Sequence, residues 1–169
     1  MGMGKFTITH ELNGTESETW ALLLDDAFLG ETYVQALEYP EWTVVERKEG
    51  PEQTTRRVAM QPKRAFPGPV AKVLGSGYRE VEESTFHIST RVWDWKRIPS
   101  TLADKLSQSG VVRLEPIGDT KSRLISEIKI EAKVFGIGGL MESTFEKIYR
   151  EEADKFAASL NERLAKGTA

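Results

Sequence analysis

The chain has no cysteine among its 169 residues. Disulfides, thiolate nucleophiles and cysteine metal sites are therefore excluded. Histidine is nearly as scarce. His10 and His87 lie far apart, with no H-x-x-x-H or H-E-x-x-H spacing. No metal site, cofactor or catalytic residue is assigned. No stretch approaches the roughly 20 apolar residues of a membrane span, so stable membrane insertion is not expected. A strong charge imbalance is also missing. The net charge is −3, from 23 basic and 26 acidic residues. A general nucleic-acid binder would show a basic balance, so no nucleic-acid partner is expected. The first residues lack the apolar run of a signal peptide, and Phe6 stands where a myristoylation signal wants Ser or Thr. A cytoplasmic protein is expected, with its oligomeric state open.

What is present is a globular composition, 39% hydrophobic and 29% charged. One domain over residues 1–169 is expected, long enough for a sizeable core. The last third is the clearest part. From Leu124 to Val134 apolar residues alternate with Arg123, Glu127, Lys129, Glu131 and Lys133. That pattern makes a strand with one dry face. Phe135-Gly136-Ile137-Gly138-Gly139 follows. Then Met141, Phe145, Ile148, Phe156, Leu160 and Leu164 recur at helical steps, with a gap near Ala153. A one-faced sheet and a one-striped helix should pack together.

Upstream, Lys5 to Leu12 alternates as a first strand. Thr15 and Glu18 have capping-box spacing before a helix, Gly30 should interrupt it, and Thr32 to Leu37 is a second short helix. Trp42–Lys48 and Thr54–Met60 form a hairpin. Val70–Leu74 is a short helix. Tyr78–Ile88 and Thr90–Ile98 are strands, Pro99–Gly110 a polar loop, and Val111–Ile117 a strand that turns through Gly118-Asp119. Antiparallel strands with helices at the ends make an α+β fold.

The junction Val134 to Glu142, the hairpin Val112 to Asp119 and the paired helices after the first strand resemble the START-like (SRPBCC, helix-grip) superfamily. The likeness is closest to a bacterial START-like family of unknown function. It implies a curved antiparallel sheet of six to seven strands around the C-terminal helix. It also implies a hydrophobic pocket between them.

The triple-glycine segment fits neither a Walker nor a dinucleotide fingerprint. Its glycines are expected to serve the turn itself. Trp93 and Trp95 share a face with Arg91 and Arg97. If that face is inward, the tryptophans wall the pocket and Arg91 is its polar anchor. If it is outward, they form an exposed interaction stripe. Arg56-Arg57, Lys63-Arg64, Glu82-Glu83 and Glu151-Glu152 read as solvated surface. His10, in phase with Phe6 and Ile8, reads as a core histidine and is the one nominee for a base. Phe66, in a Pro-rich loop, caps a cavity or anchors the loop.

The pocket candidates are Met60, Phe66, Trp93, Trp95, Phe135, Leu140, Met141 and Phe145, with Arg91 as polar anchor. The expected function is binding of a lipid or other hydrophobic small molecule, as carrier or sensor. A cyclase- or aromatase-like enzyme and a protein-interaction module remain as alternatives.

Overall fold

Alternation of side chains builds most of the molecule, whose computed structural model describes residues 4–167. β1 (Gly4–Leu12) is followed by α1 (Glu16–Leu23) and α2 (Asp26–Glu31). β2 (Glu41–Glu49) and β3 (Gln53–Gln61) form a hairpin. α3 (Gly68–Leu74) precedes β4 (Glu80–His87) and β5 (Val92–Pro99). β6 (Leu106–Ile117), β7 (Lys121–Ala132) and α4 (Gly138–Ala165) complete the chain. The strands make one curved antiparallel sheet in the order β1-β7-β6-β5-β4-β3-β2. Because β1 pairs with β7, the first and last strands are neighbours at one edge, where α4 packs across the inner face. This is the expected α+β helix-grip.

The helix caps follow local chemistry. Thr15 Oγ1 accepts from Glu18 N at 3.2 Å, and Glu18 Oε1 accepts from Thr15 N at 2.8 Å. The helical run breaks at Leu24-Asp25, not at Gly30, because Asp25 accepts from the Ala27 and Phe28 amides and starts α2 afresh. After α2 the chain widens, and Leu37 N donates to Thr32 O at 3.1 Å, five residues back.

Two strand starts and one helix facing differ from expectation. β6 starts at Leu106, inside the expected polar loop, because Ser107 and Ser109 only face outward between buried Leu106, Gln108 and Gly110. β5 starts at Val92, so Arg91 sits in the preceding turn with φ of 54°. In α4 the inward residue is Tyr149, while Ile148 is half-buried. In β2 a bulge adds exposed Val45 between Val44 and Glu46, which brings Arg47 opposite Arg56.

The core lies between sheet and α4. One cluster joins Leu12, Trp20, Leu114, Leu124 and Leu160. A second joins Phe6, Val70, Ile130, Met141 and Phe145. A third holds Leu37, Tyr39, Val58 and Met60. Gly136, with φ of 84°, turns the chain from β7 towards α4. Among the described residues, no helix is long and apolar enough to cross a membrane.

Candidate functional site

A chamber of about 110 Å³ lies between the inner sheet face and the middle of α4. Glu152 and Ala153 line it where the apolar periodicity of α4 lapses. Ile8, Val112, Leu124, Ile128 and Phe156 supply apolar walls, and Trp93, Trp95, Tyr33 and Tyr149 supply aromatic ones. The tryptophan-bearing face of β5 is therefore the inner one. Trp95 is paired across the sheet with Gly110. A Cβ at Gly110 would come within 2.5 Å of the indole, so only glycine lets the ring lie there. Trp93 lies under the guanidinium of Arg56, 5.3 Å from its centroid. Tyr33 is stacked on Trp42 at 5.6 Å.

One wall is charged. Strand phase puts Glu80, Glu82, Ser84 and Phe86 on the inner face of β4, opposite Pro99, Arg97, Trp95 and Trp93 of β5. Arg97 Nε donates to Glu82 Oε2 at 2.9 Å, and its Nη1 to Glu80 Oε1 at 3.4 Å. Arg64, from the loop after β3, reaches Glu80 at 3.2 Å and holds Glu152 of α4 through Nε at 3.1 Å and Nη2 at 3.2 Å. Tyrosines tie the set together. Tyr78 OH donates to Glu80 at 2.6 Å, Tyr39 OH to Glu152 at 2.9 Å, and Tyr149 OH to Gln108 Oε1 at 2.8 Å. Gln108 Nε2 in turn donates to Glu80 at 3.0 Å.

Burial and pairing compete in this network. Burial pushes the Glu80 carboxyl towards the neutral acid. Arg64 and Arg97, with hydrogen bonds from Tyr78 and Gln108, outweigh it and hold the carboxyl below its usual range. Burial likewise opposes the charge on Arg64, but the Glu152 carboxylate overcomes it and raises the guanidinium's pKa. Desolvation dominates for the tyrosines. It pushes Tyr33 up to about 12 and raises Tyr39, Tyr78 and Tyr149 as well.

His10 reaches the chamber from β1, with Nε2 2.8 Å from Asp154 Oδ1. A carboxylate only accepts, so Nε2 carries the proton. Among the described residues, no group of three or more His, Cys, Asp or Glu side chains is arranged to hold a metal ion.

Of the nine residues singled out in the sequence, Trp93 and Trp95 line the chamber. Met141 and Phe145 are fully buried in the cluster beside it, and Met60 in the cluster under β2 and β3. Phe66 anchors its loop, 5.6 Å from Phe145 and 5.8 Å from Tyr78. Arg91 lies outside and pairs with Glu16 at 3.3 Å, while Arg97 of β5 takes the inward place. Phe135, in the turn after β7, and Leu140, on the outward side of the first turn of α4, are exposed. The residues missed are Tyr33, Tyr149, Glu82 and Glu152 at the chamber, and Arg64, Glu80, Tyr39, Tyr78 and Gln108 behind it. Arg56, Arg64, Glu82 and Glu152, read as solvated charges, are largely buried. Strand phase was the available signal. Phe86 and Glu82 are four residues apart on one strand and must share a face.

A wider groove, about 710 Å³, crosses the outer sheet face past Arg57, Glu83, Lys96 and Lys129. Its charges neutralise one another at the surface, with Glu83 3.3 Å from Arg57 and 3.4 Å from Lys96. The chamber beneath α4 is the site with buried chemistry.

Solved structures of the same fold span the whole chain. The Zhui aromatase/cyclase of Streptomyces sp. R1128 has a TM-score of 0.69 at 12% identity, covering 99% of this chain and 97% of that one. Norcoclaurine synthase of Thalictrum flavum, in complex with dopamine and hydroxybenzaldehyde, has 0.66 at 11%, covering 99% and 90%. A START superfamily protein of Mycobacterium smegmatis has 0.59 at 15%, covering 99% and 100%. These likenesses establish a START-like fold. No curated protein matches. Residues 7–163 match the family described as protein of unknown function DUF2505, and the chain belongs to that family.

Proposed function

We propose that the protein binds a small molecule with a hydrophobic body and a polar end in the chamber beneath α4, as a carrier or sensor. The observation that carries this is the lining: two indoles and aliphatic side chains on most walls, and buried charge on one. Apolar burial drives binding at about 25 cal/mol per Å² removed from water. The polar wall fixes orientation. At about 110 Å³ the chamber suits a body of about one ring. A drug-sized or lipid ligand needs ~300 Å³ or more, so a lipid tail would require α4 to part from the sheet. The norcoclaurine synthase structure, of the same fold, carries dopamine and hydroxybenzaldehyde, compounds of this size.

An NMR screen of single-ring fragments tests the proposal. Saturable shifts of the Trp93 and Trp95 indole N–H signals are expected. They should vanish in Ala153→Leu, which fills the space beneath α4. Fragments that leave both indoles unmoved would sink ligand binding at this site.

One observation favours a second reading, an enzyme of the cyclase or aromatase type. His10, held by Asp154, faces the same space as Glu82 and Glu152, and an oriented imidazole can move a proton. His10→Gln would then abolish turnover while leaving fragment binding intact.

A further inference from the structure

The buried wall is not electrically balanced. Two guanidiniums, Arg64 and Arg97, face three carboxylates, Glu80, Glu82 and Glu152. The nearby Arg56 does not settle the difference, because Asp26 takes it at 2.7 Å, and Arg47 has Asp26 and Glu49. The partners are also unevenly shared. Both oxygens of Glu152 are taken by Arg64, and Glu80 is shared by Arg64 and Arg97 with Tyr78 and Gln108. Glu82 has Arg97 Nε alone, on Oε2.

Among the described residues, Glu82 Oε1 has no hydrogen-bond partner, although its side chain is only 10% exposed. Tyr33 OH accepts from Arg97 Nη2 at 3.3 Å, and among the described residues nothing accepts its own proton. Tyr33 and Glu82 both line the chamber. The wall therefore offers one open acceptor on an anionic carboxylate and, beside it, one open donor. A carboxylate ligand has only acceptors and would bring a further negative charge into a low-dielectric space. A hydroxyl can donate to Glu82 and accept from Tyr33. An ammonium can donate to Glu82 and cancel the excess charge, and the aromatic walls tolerate a cation.

Resting on the proposed ligand chamber, we infer that the polar end of the ligand is a hydrogen-bond donor, a protonated amine or a hydroxyl, and that Glu82 Oε1 selects it against carboxylates. Titration of the full chain with benzylamine, benzyl alcohol, benzoate and toluene at neutral pH tests this. The four probes share one ring and differ in the head group. Benzylamine should bind at least about tenfold tighter than benzoate, the ratio of one charge-assisted hydrogen bond, with benzyl alcohol also tighter than toluene. Glu82→Gln keeps an oxygen for Arg97 and removes the charge, and should shrink the benzylamine-to-benzoate ratio about tenfold. Benzoate binding as well as benzylamine, or all three heads binding no tighter than toluene, would overturn the head-group inference and leave the chamber standing. An unchanged ratio in Glu82→Gln would overturn the assignment to Glu82. No binding by any probe, toluene included, would overturn both.

Discussion

The two halves of the inner sheet face are built on opposite chemistry. On β1, β7 and β6 the inward positions are mostly aliphatic, as with Ile8, Leu12, Leu124, Ile128, Ile130, Val112 and Leu114. On β4 and β5 they include Glu80, Glu82 and Arg97, closed from above by Arg64 and Glu152. The apolar half is held by burial, which is nondirectional and tolerant. The charged half is held by geometry, because each buried ion is stable only while its partners stay within reach. A fold that needed only a core would gain by replacing such a set with hydrocarbon. Its position beside the chamber accords with the proposed role towards a ligand.

The largest expected difference between the halves is at alkaline pH. Tyr33, Tyr39, Tyr78 and Tyr149 have pKa values raised in the folded protein above the ordinary 10.0. A raised folded pKa means that the stability is fully present below pH 10.0 and is lost as pH climbs towards the folded value. Each tyrosine's cost rises towards about 1.4 kcal/mol per pH unit across that window, so the four together remove on the order of 4 kcal/mol within the first unit. Urea titrations at stepped pH should show this fall, with tyrosinate absorbance rising together with unfolding. Tyrosinate appearing in the intact fold would show that the charged half is open to water.

Single substitutions sharpen the contrast next. Arg97→Met leaves Glu82 without its ion-pair partner and weakens the hold on Glu80. It should cost about 3–5 kcal/mol in urea denaturation. Adding Glu82→Leu should recover part of that loss, since the stranded charge is gone. Leu160→Ala, at a fully buried α4 residue packed with Leu12, Leu114 and Leu124 of the apolar half, should cost about 2–5 kcal/mol through its cavity. No second substitution of the charge-removing kind should rescue it. Similar losses with and without Glu82→Leu would mean that Arg97 contributes mainly packing.

The same contrast explains what was legible in the sequence. Where hydrophobicity and facing coincide, as in β1, β7 and most of α4, alternation located both element and face. The capping pair Thr15 and Glu18, the Gly118-Asp119 hairpin and the helix-grip order were readable from neighbours in sequence. In β4, facing and polarity part company. Strand phase tied Glu82 to Phe86, yet its charge argued for solvent. The charge is tolerable inside only because Arg97 lies across the ladder. Its neighbour Glu80 likewise depends on Arg64, which arrives from a loop and is itself held by Glu152 of α4. Such partners are separated by up to 88 residues, as Arg64 and Glu152 are, and no local pattern announces them. Phe135 and Leu140 erred in the other direction. They are apolar, but Phe135 lies beyond the end of β7 and Leu140 on the outward side of α4, so both are exposed.

The smallest expected effect is the most pointed. Arg97 and Ile98 are adjacent on β5 and face opposite ways. Hydropathy alone would bury the isoleucine and expose the arginine. The strand does the reverse, with Arg97 at 5% and Ile98 at 37% exposure. If facing decides energetics, Ile98→Thr should change stability by no more than about 0.5 kcal/mol, because an outward β-branched residue replaces another on the wet face. Its charged neighbour, altered to an apolar residue of similar length, should cost several times more. Equilibrium urea curves for the two variants, measured side by side, give the ratio directly. A ratio near one would mean that the outer face of β5 is covered in the working protein, and that the boundary between the two halves lies beyond the sheet.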